Sequence, residues 1–312
     1  MKKNPPTNIS IIIIGYNNIK QLKQLLVSIN QQNHKIKNKI ECIYVDDGSN
    51  DGSWRFFQNF SLKFKKGGEK LIKNSGRVVA TQRGIDLATG EWFLFIRSNL
   101  FFNPSAIHEF SQSIKIKKGL AFMGRVQYTS KDLVFQKYLN SNKRGAKKYN
   151  HLNTIHYKNL LFGNSIIHFS VFLKHRLNKN LKKYGGEEID LAEQIELLSK
   201  NKIYYCKTAK AVRHNHPGFN IHLKRLFVFG EFNLGCLSTN NQKLICGPAY
   251  YLKNFSSLNV FWRLLLLFSK KTYTCGLLSS NYYIIRLGLI SSLMLGFSKF
   301  IKAQNYQNSN HP

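Results

Sequence analysis

The sequence predicts an α/β fold with a mostly parallel central sheet. Between residues 9 and 126, short β-branched runs alternate with segments of helical periodicity, which is typical of βαβ units. The first run, "NISIIIIG", is almost entirely apolar, as expected of a strand covered on both faces. The chain has 312 residues, of which 43% are hydrophobic, so it can bury a large core, and this excludes disordered and fibrous classes.

The elements of the first half follow in order. After the first strand, apolar residues recur at helical spacing, namely Ile19, Leu22, Leu25, Leu26 and Ile29. Asn17 and Asn18 stand where a helix cap is expected. The next strands are predicted at "ECIYV", "EKLIKN" and "EWFLFI", with a helix over residues 77–87 before the last of them. Pro104 suits the first turn of the helix that follows.

The second half is less regular. Between about residues 127 and 165 the periodicity is lost, and we interpret "NSNKRGAKKYNHLN" as a mobile basic loop. Strand character returns at "SIIHFSVFL", and a helix is predicted to begin near Glu187. "KIYYC" follows, then two or three helical segments rich in Leu and aromatic residues. We expect an α/β domain over residues 1–238, in halves 1–126 and 127–238, and a helical extension over 239–312.

The last apolar segment, "YYIIRLGLISSLMLGFSKFI", has about the length of a membrane span. Arg286 interrupts it and Lys299 lies near its end, which disfavours a spanning helix. Two alternatives stay open. Leu and aromatic residues beside Lys and Arg suit the surface of an anionic membrane, and a helix packed on the protein's own core is equally consistent.

The balance of charged residues limits the classes of binding partner. The chain carries 47 Lys and Arg against 15 Asp and Glu, a net charge of +32, which predicts attraction to polyanions. We expect no nucleic-acid partner, because no zinc-finger, helix-turn-helix or aromatic RNA-binding motif accompanies the charge. Walker and dinucleotide-binding loops are absent from the sequence as well. Five widely spaced cysteines favour a reducing compartment, and the short N-terminal Ile run without a cleavage site does not suggest a signal peptide.

Two acidic clusters stand out in a chain with few acids. "YVDDGSNDGS" places Asp46, Asp47 and Asp51 after a strand, at the edge of a parallel sheet where open α/β folds bind ligands. The alternative is a purely structural Asx-rich turn, in which the side chains form hydrogen bonds with the backbone of the turn itself. The second cluster, Glu187 and Glu188 in "GGEEIDLAEQI", begins a predicted helix, where acids are also common simply because of the helix dipole.

Four segments in order resemble the motifs of the family 2 glycosyltransferases, which have the GT-A fold. They are "SIIIIGYNN", "VDDGSNDGS", "NSGRVVATQRGIDLATGEWFLF" and "GGEEIDLAEQI", and the resemblance covers residues 9 to about 235. It implies transfer of a sugar from a nucleotide-diphosphate sugar with inversion, usually with a divalent metal on the diphosphate.

The resemblance also implies roles for residues at matching positions. Tyr16 and Asp47 match positions that hold the nucleotide, and Arg77 is a candidate phosphate contact, with a solvated helix-face arginine as its alternative. Glu187 and Glu188 match the family's Glu-Asp pair, so Glu188 falls on the general base. A carboxylate there can take the proton of the acceptor hydroxyl.

The chain departs from the family pattern at its metal motif. Arg97 and Asn99, in "FIRSN", stand in place of the two aspartates of Asp-x-Asp. Either Arg97 neutralises the donor diphosphate directly and no metal is needed, or the protein is a non-catalytic scaffold that binds nucleotide or glycan. Mg²⁺ or Mn²⁺ is therefore disfavoured as a cofactor, and we assign no metal ligand, His214 and His216 included. Smaller departures are Thr81, Gln82 and Gln194.

The sequence-based interpretation is an inverting glycosyltransferase of cell-surface polysaccharide synthesis. Its partners are a nucleotide-sugar donor and a glycan or lipid-linked acceptor, with an anionic membrane surface as a further candidate. We expect it in the cytoplasm, peripheral at the inner face of the membrane.

Overall fold

The computed structural model describes residues 8–32, 40–198, 202–253, 258–275 and 281–309, which form an eight-stranded mixed sheet with flanking helices. The strands are β1 (Ile9–Gly15), β2 (Ile40–Asp46), β3 (Lys65–Lys70), β4 (Trp92–Arg97), β5 (Leu100–Phe102), β6 (Ala121–Tyr128), β7 (Ser165–His168) and β8 (Ile203–Arg213). The α-helices are α1 (Ile19–Asn30), α2 (Ser53–Asn59), α3 (Arg77–Leu87), α4 (Ala106–Ile116), α5 (Leu133–Asn140), α6 (Ser170–Lys174), α7 (Glu187–Leu198), α8 (Phe219–Phe232), α9 (Thr239–Cys246), α10 (Leu258–Thr274) and α11 (Tyr282–Ser309).

The strand order in the sheet is β3-β2-β1-β4-β7-β6-β8-β5. The first four strands run parallel, β7 is antiparallel to both of its neighbours, β6 and β8 are parallel, and β5 is antiparallel to β8. The α/β class is thus confirmed, with more antiparallel pairing in the second half of the sheet than the sequence suggested.

The core lies around β1, β2 and β4. Their side chains are buried along almost the whole length of each strand, which explains why the sequence reads as continuous apolar runs. Helix α1 adds four buried residues to the core, namely Leu22, Leu25, Leu26 and Ile29. Full burial of each such side chain stabilises the fold by roughly 1.5–3 kcal/mol.

The chain divides into two compact units built from interleaved segments. The first comprises residues 1–128, 142–177 and 191–214, and it contains the whole sheet. The second comprises residues 129–141, 178–190 and 215–312, and it contains α5, the start of α7 and helices α8 to α11.

The second unit is held by contacts between helices α8, α10 and α11. Glycines allow α8 and α11 to approach closely, because a Cβ on Gly230 would meet the Leu293 carbonyl and one on Gly296 would meet the Phe227 carbonyl. Ser292 adds a hydrogen bond from its hydroxyl to the Leu223 carbonyl, at 2.8 Å. Within α11, residues Tyr282–Gln307 are long and apolar enough to cross a membrane by length and composition, but half of the most apolar window is buried in the fold.

The sequence placed most of the sheet-forming elements correctly. It predicted the observed β1, β2, β4, α1, α3 and α7, and α3 has the predicted bounds. The third strand was predicted too late, at 69–74. It is instead β3, a polar strand that pairs only with β2, and Ile72 beyond it is fully exposed.

Three local predictions were wrong. Regular structure is not lost throughout residues 127–165, because α5 lies within this segment and is capped by Asp132, whose side chain accepts a hydrogen bond from Phe135 N. The segment "SIIHFSVFL" is a strand only as far as His168 and then turns into α6. Asn18 makes no capping hydrogen bond to α1. The first N–H group of the helix, at Ile19, instead donates to the carboxylate of Asp51.

Candidate active site at the carboxyl ends of the parallel strands

The register of the parallel strands brings the predicted donor-site residues to one edge of the sheet. Gly15 pairs with Asp46 on one side of β1, and Ile14 pairs with Arg97 on the other. Because neighbouring strands lie about 4.8 Å apart, the ends of β2 and β4 are separated by roughly 10 Å across β1. Tyr16 directly follows β1 and is 45% exposed, and Asp47 directly follows β2.

The loops after β1 and β2 are joined to each other. Asn17 N donates to Ser49 Oγ at 2.8 Å, and Asn50 N donates to Asn17 Oδ1 at 2.9 Å. Asp51 completes the connection, since its carboxylate accepts from Ile19 N at 2.8 Å and from Ser53 N at 3.0 Å. The motif "DDGSNDGS" therefore fixes the starts of α1 and α2 as well as its own turn.

Asp47 is buried and holds the turn that leads into α3. Its two oxygens accept hydrogen bonds from Ser75 N at 2.7 Å and from Gly76 N at 3.0 Å. Burial raises the pKa of the Asp47 carboxyl above its ordinary value, and the charge of Asp46 adds to this, while the two N–H donors act in the opposite direction. Arg77, the first residue of α3, is placed directly after this turn and is half-buried.

The end of β4 carries the segment that replaces Asp-x-Asp. Arg97 is half-buried at the strand terminus, and Ser98 beyond it accepts a hydrogen bond from Asn18 Nδ2. Asn99 Oδ1 and Asn18 Oδ1 are buried and have no hydrogen-bond partner among the described residues. Because buried acceptors are normally satisfied, these two amide oxygens are candidates to accept hydrogen bonds from a bound ligand.

The acidic residues described at this edge do not form a cluster of metal ligands. Nowhere in the described ranges do three or more His, Cys, Asp or Glu side chains group as metal ligands would. Asp46 Oδ1 accepts one hydrogen bond from Ser49 N at 2.6 Å, and each Asp47 oxygen accepts one from a backbone N–H group. Arg97 brings a fixed positive charge to the position where carboxylates would be needed.

Glu187 and Glu188 belong to the second unit, at the first turn of α7. The turn before them consists of Gly185 and Gly186, whose φ angles of 90° and 104° lie in the region that favours glycine. Asn233 Nδ2 donates to Gly185 O at 2.7 Å and fixes this turn. Glu187 is buried and Glu188 is half-buried, so the second carboxylate is the more accessible of the pair.

The structure thus gathers Tyr16, Asp47, Arg77, Arg97 and Asn99 at the strand ends of the first unit. Their roles toward a substrate stay predictions. Sequence reasoning missed Asn18 and the backbone donors of Ser75 and Gly76. The pair Asn17-Asn18 after a buried strand is a usable signal, although the same position also predicts a helix cap.

The profile of the family described as "Glycosyl transferase family 2" matches residues 10–176, which is more than half of the chain. A curated relative, the dolichol-phosphate mannosyltransferase of Pyrococcus furiosus, is 28% identical over 117 residues. That match covers 38% of this chain and 33% of the relative, so it spans about a third of the relative's length.

Solved structures share the fold over almost the whole chain. TarS residues 1–349 of S. aureus, in complex with UDP-GlcNAc, superpose with a TM-score of 0.59 at 13% identity, covering 95% of this chain and 92% of that one. The mannosyltransferase PcManGT of Pyrobaculum calidifontis, in complex with GDP-Man and Mn²⁺, gives 0.62 at 13% identity, covering 96% and 88%. At these identities the comparison establishes the GT-A fold.

Proposed function

The chain belongs to the family 2 glycosyltransferases, and from this premise we propose that it moves a sugar, with inversion, from a nucleotide-diphosphate sugar to a glycan or lipid-linked acceptor. Glycosyltransferase activity and the use of a nucleotide sugar follow from membership of the family. The stereochemistry, the acceptor and a role in cell-surface polysaccharide synthesis are the proposed part.

The donor is proposed to bind at the strand ends of the first unit. Two of the solved structures of the same fold hold UDP-GlcNAc and GDP-Man, which supports a nucleotide-diphosphate sugar as the ligand class. Tyr16 offers an exposed aromatic side chain to the nucleotide. Asp47 shapes the nucleotide site by fixing the turn at Ser75 and Gly76, and its carboxylate has acceptor capacity beyond these two bonds.

The proposed mechanism rests on the position of Arg97 at the end of β4. The guanidinium provides a permanent charge and a planar fork of donors that matches two diphosphate oxygens. As the bond between the anomeric carbon and the diphosphate breaks, the electron pair leaves with the nucleoside diphosphate, and Arg97 stabilises the added negative charge. We therefore propose that transfer needs no divalent cation, with Arg77 and Asn99 as further donor contacts.

Glu188 is proposed as the general base. The acceptor hydroxyl oxygen forms the new bond to the anomeric carbon, and its proton passes to the Glu188 carboxylate. This assignment rests on its place in the family motif and on its accessibility beside the buried Glu187. We propose that Glu187 supports acceptor binding from the same helix turn.

The reaction is proposed to occur at the cytoplasmic face of a membrane. Support comes from the net charge of +32, which attracts the chain to anionic lipid and to acceptors carrying phosphate groups.

Calorimetric titration with UDP, GDP, dTDP and their sugars tests the donor site, first in EDTA and then with Mg²⁺ or Mn²⁺. We expect binding in EDTA that Arg97→Ala weakens by about 10- to 100-fold, because a charge-assisted contact is lost. Arg176→Ala is the matched control, because Arg176 pairs with Asp86 in the last turn of α3, at the opposite end of that helix from Arg77. Binding that appears only with added metal would contradict the proposal, and no binding under either condition would favour the non-catalytic scaffold.

Glu188→Gln separates binding from chemistry. We expect donor affinity close to that of the wild type and a transfer rate lower by about 10²- to 10⁴-fold, which is the usual contribution of a general base. The transfer rate is measured as the initial rate of nucleoside diphosphate release in the presence of an acceptor that the wild type uses. Undiminished transfer by the variant would assign the base to another residue.

A further inference from the structure

Helix α10 presents an apolar face to solvent. The side chains concerned are 43% to 63% exposed, namely Val260, Phe261, Leu264, Leu267 and Phe268. Their spacing places them on one side of the helix, in the pattern that normally marks a buried face. Soluble proteins rarely leave such a contiguous apolar surface without a binding partner.

The other side of α10 already has its core contacts. Trp262 and Ser269 are buried, and the Ser269 hydroxyl donates to the Ile284 carbonyl of α11 at 2.9 Å. The exposed face is therefore not the face that attaches α10 to the second unit. It is a second apolar surface on the same helix.

Helix α11 is the less suitable element for contact with lipid. Its composition resembles a membrane span, but its large apolar residues Ile285, Leu289, Leu293, Met294 and Phe297 are buried within the second unit. The close backbone contacts at Gly230 and Gly296 tie it to α8. Insertion of α11 into a bilayer would require the unit to come apart.

Charge complementarity indicates what covers the α10 face. Arg263, Lys270 and Lys271 are exposed on the same helix. The last 81 residues of the chain contain eight Lys and Arg and no Asp or Glu. A second copy of this chain would place two such basic segments against each other, whereas the phosphates of an anionic bilayer would neutralise them.

We infer that α10 is a membrane-docking helix that lies in the plane of an anionic bilayer. Its exposed apolar residues enter the boundary between headgroups and acyl chains, and Arg263, Lys270 and Lys271 contact lipid phosphates. This goes beyond the proposed function, since it names the helix and the face that meet the membrane and holds whichever sugar is transferred.

Co-sedimentation with lipid vesicles tests the inference on the full chain. The wild type is expected to bind vesicles containing phosphatidylglycerol and to bind pure phosphatidylcholine weakly. The double variant Leu264→Glu, Leu267→Glu is expected to lose binding by about tenfold or more, because two inserted side chains become charged. Both positions are exposed, so we expect the fold to be retained, and an unchanged midpoint of urea unfolding checks this independently of the proposed donor binding.

The matched control is Leu133→Glu, Leu197→Glu, which changes two other leucines that are 65% and 75% exposed and adds the same charge. We expect it to bind vesicles nearly as well as the wild type. Three results would overturn the inference: no binding of the wild type to anionic vesicles, equal losses in the two double variants, or a wild-type dimer in sedimentation velocity that Leu264→Glu, Leu267→Glu dissolves.

Discussion

Gly48 shows how a single residue sets the geometry of the candidate site. Its φ angle is 80°, and a Cβ at this position would lie 2.5 Å from the carbonyl carbon of Lys73 and 2.8 Å from Asn74 N. This close backbone approach lets the neighbouring Asp47 reach the N–H groups of Ser75 and Gly76. The sequence predicted a turn here, but it could not show that the turn packs against a segment 25 residues away.

We expect Gly48→Ala to destabilise the fold by about 2 kcal/mol or more, from the left-handed backbone and the clash together. Gly145→Ala is the control, because Gly145 has a φ of 59° but, apart from its two neighbours in the chain, no described residue lies within 4 Å of the place that an alanine methyl group would take. It should cost only roughly 1 kcal/mol. Urea unfolding measures both, and equal losses would show that the contact with Lys73 is unimportant.

Glu41 makes folding stability depend on pH. Burial acts to raise the pKa of its carboxyl, but hydrogen bonds from Ser10 and Thr89 together with the charge of Lys65 outweigh it, so the pKa lies below the ordinary 4.5. Glu41 Oε1 accepts from Ser10 Oγ at 2.6 Å, from Thr89 N at 2.6 Å and from Thr89 Oγ1 at 2.9 Å. The lowered pKa means that this stabilisation is present above pH 4.5 and is lost as the pH falls through the folded-state pKa.

The variant Glu41→Gln keeps an acceptor oxygen but removes the titration. We expect it to lose about 1 kcal/mol near neutral pH and to lose less stability than the wild type on acidification below pH 4.5. Urea unfolding at a series of pH values checks this. Parallel pH profiles for the two proteins would assign the acid sensitivity to other groups.

At the scale of elements, success in prediction followed the hydrophobic pattern. β1, β2 and β4 are buried on both faces, so their residues had to be apolar and were visible in the sequence. β3 is held by backbone bonds to one neighbour while most of its side chains point to solvent, and such a strand leaves no periodic pattern. The departure at Arg97 and Asn99 was readable from sequence, whereas the links between Asn18 and Ser98 and between Asp47 and Gly76 depend on strand register.

The contact between α8 and α11 gives a prediction at this scale. Gly296→Ala should destabilise the protein by about 1–2 kcal/mol, because overpacking against the Phe227 carbonyl outweighs the gain in helix propensity. Gly288→Ala on the same helix is the comparison, since a methyl group there meets side-chain atoms of Ser269 and Phe219 and no backbone carbonyl. Urea unfolding should rank Gly296→Ala as the worse of the two. A stabilised Gly296→Ala would contradict the close helix contact.

At the scale of the whole molecule, the positive charge opposes compaction. A net charge of +32 produces self-repulsion that surface ion pairs such as Arg83 with Glu69 and Arg176 with Asp86 offset only weakly. The stability of the fold therefore depends on its apolar core, while the net charge influences which partners the protein binds.

We expect added salt to stabilise the protein. Raising NaCl from about 20 mM to about 200 mM shortens the screening length and weakens the repulsion, so the thermal midpoint should rise by several degrees. Differential scanning calorimetry at fixed pH measures this, with sucrose at equal osmolality as a control for solvent effects. A midpoint that falls with salt would mean that attractive pairs dominate.

The interleaving of the two units has a consequence for how the chain is made. The cap of α5, Asp132, accepts hydrogen bonds from Phe219 N at 2.9 Å and from the Tyr273 hydroxyl, so it is completed only by residues much further along the chain. On the ribosome, residues 129–141 and 178–190 emerge well before the helices against which they pack. Such distant pairings slow folding and expose apolar surface in the meantime, so we expect chaperones to bind the nascent second unit.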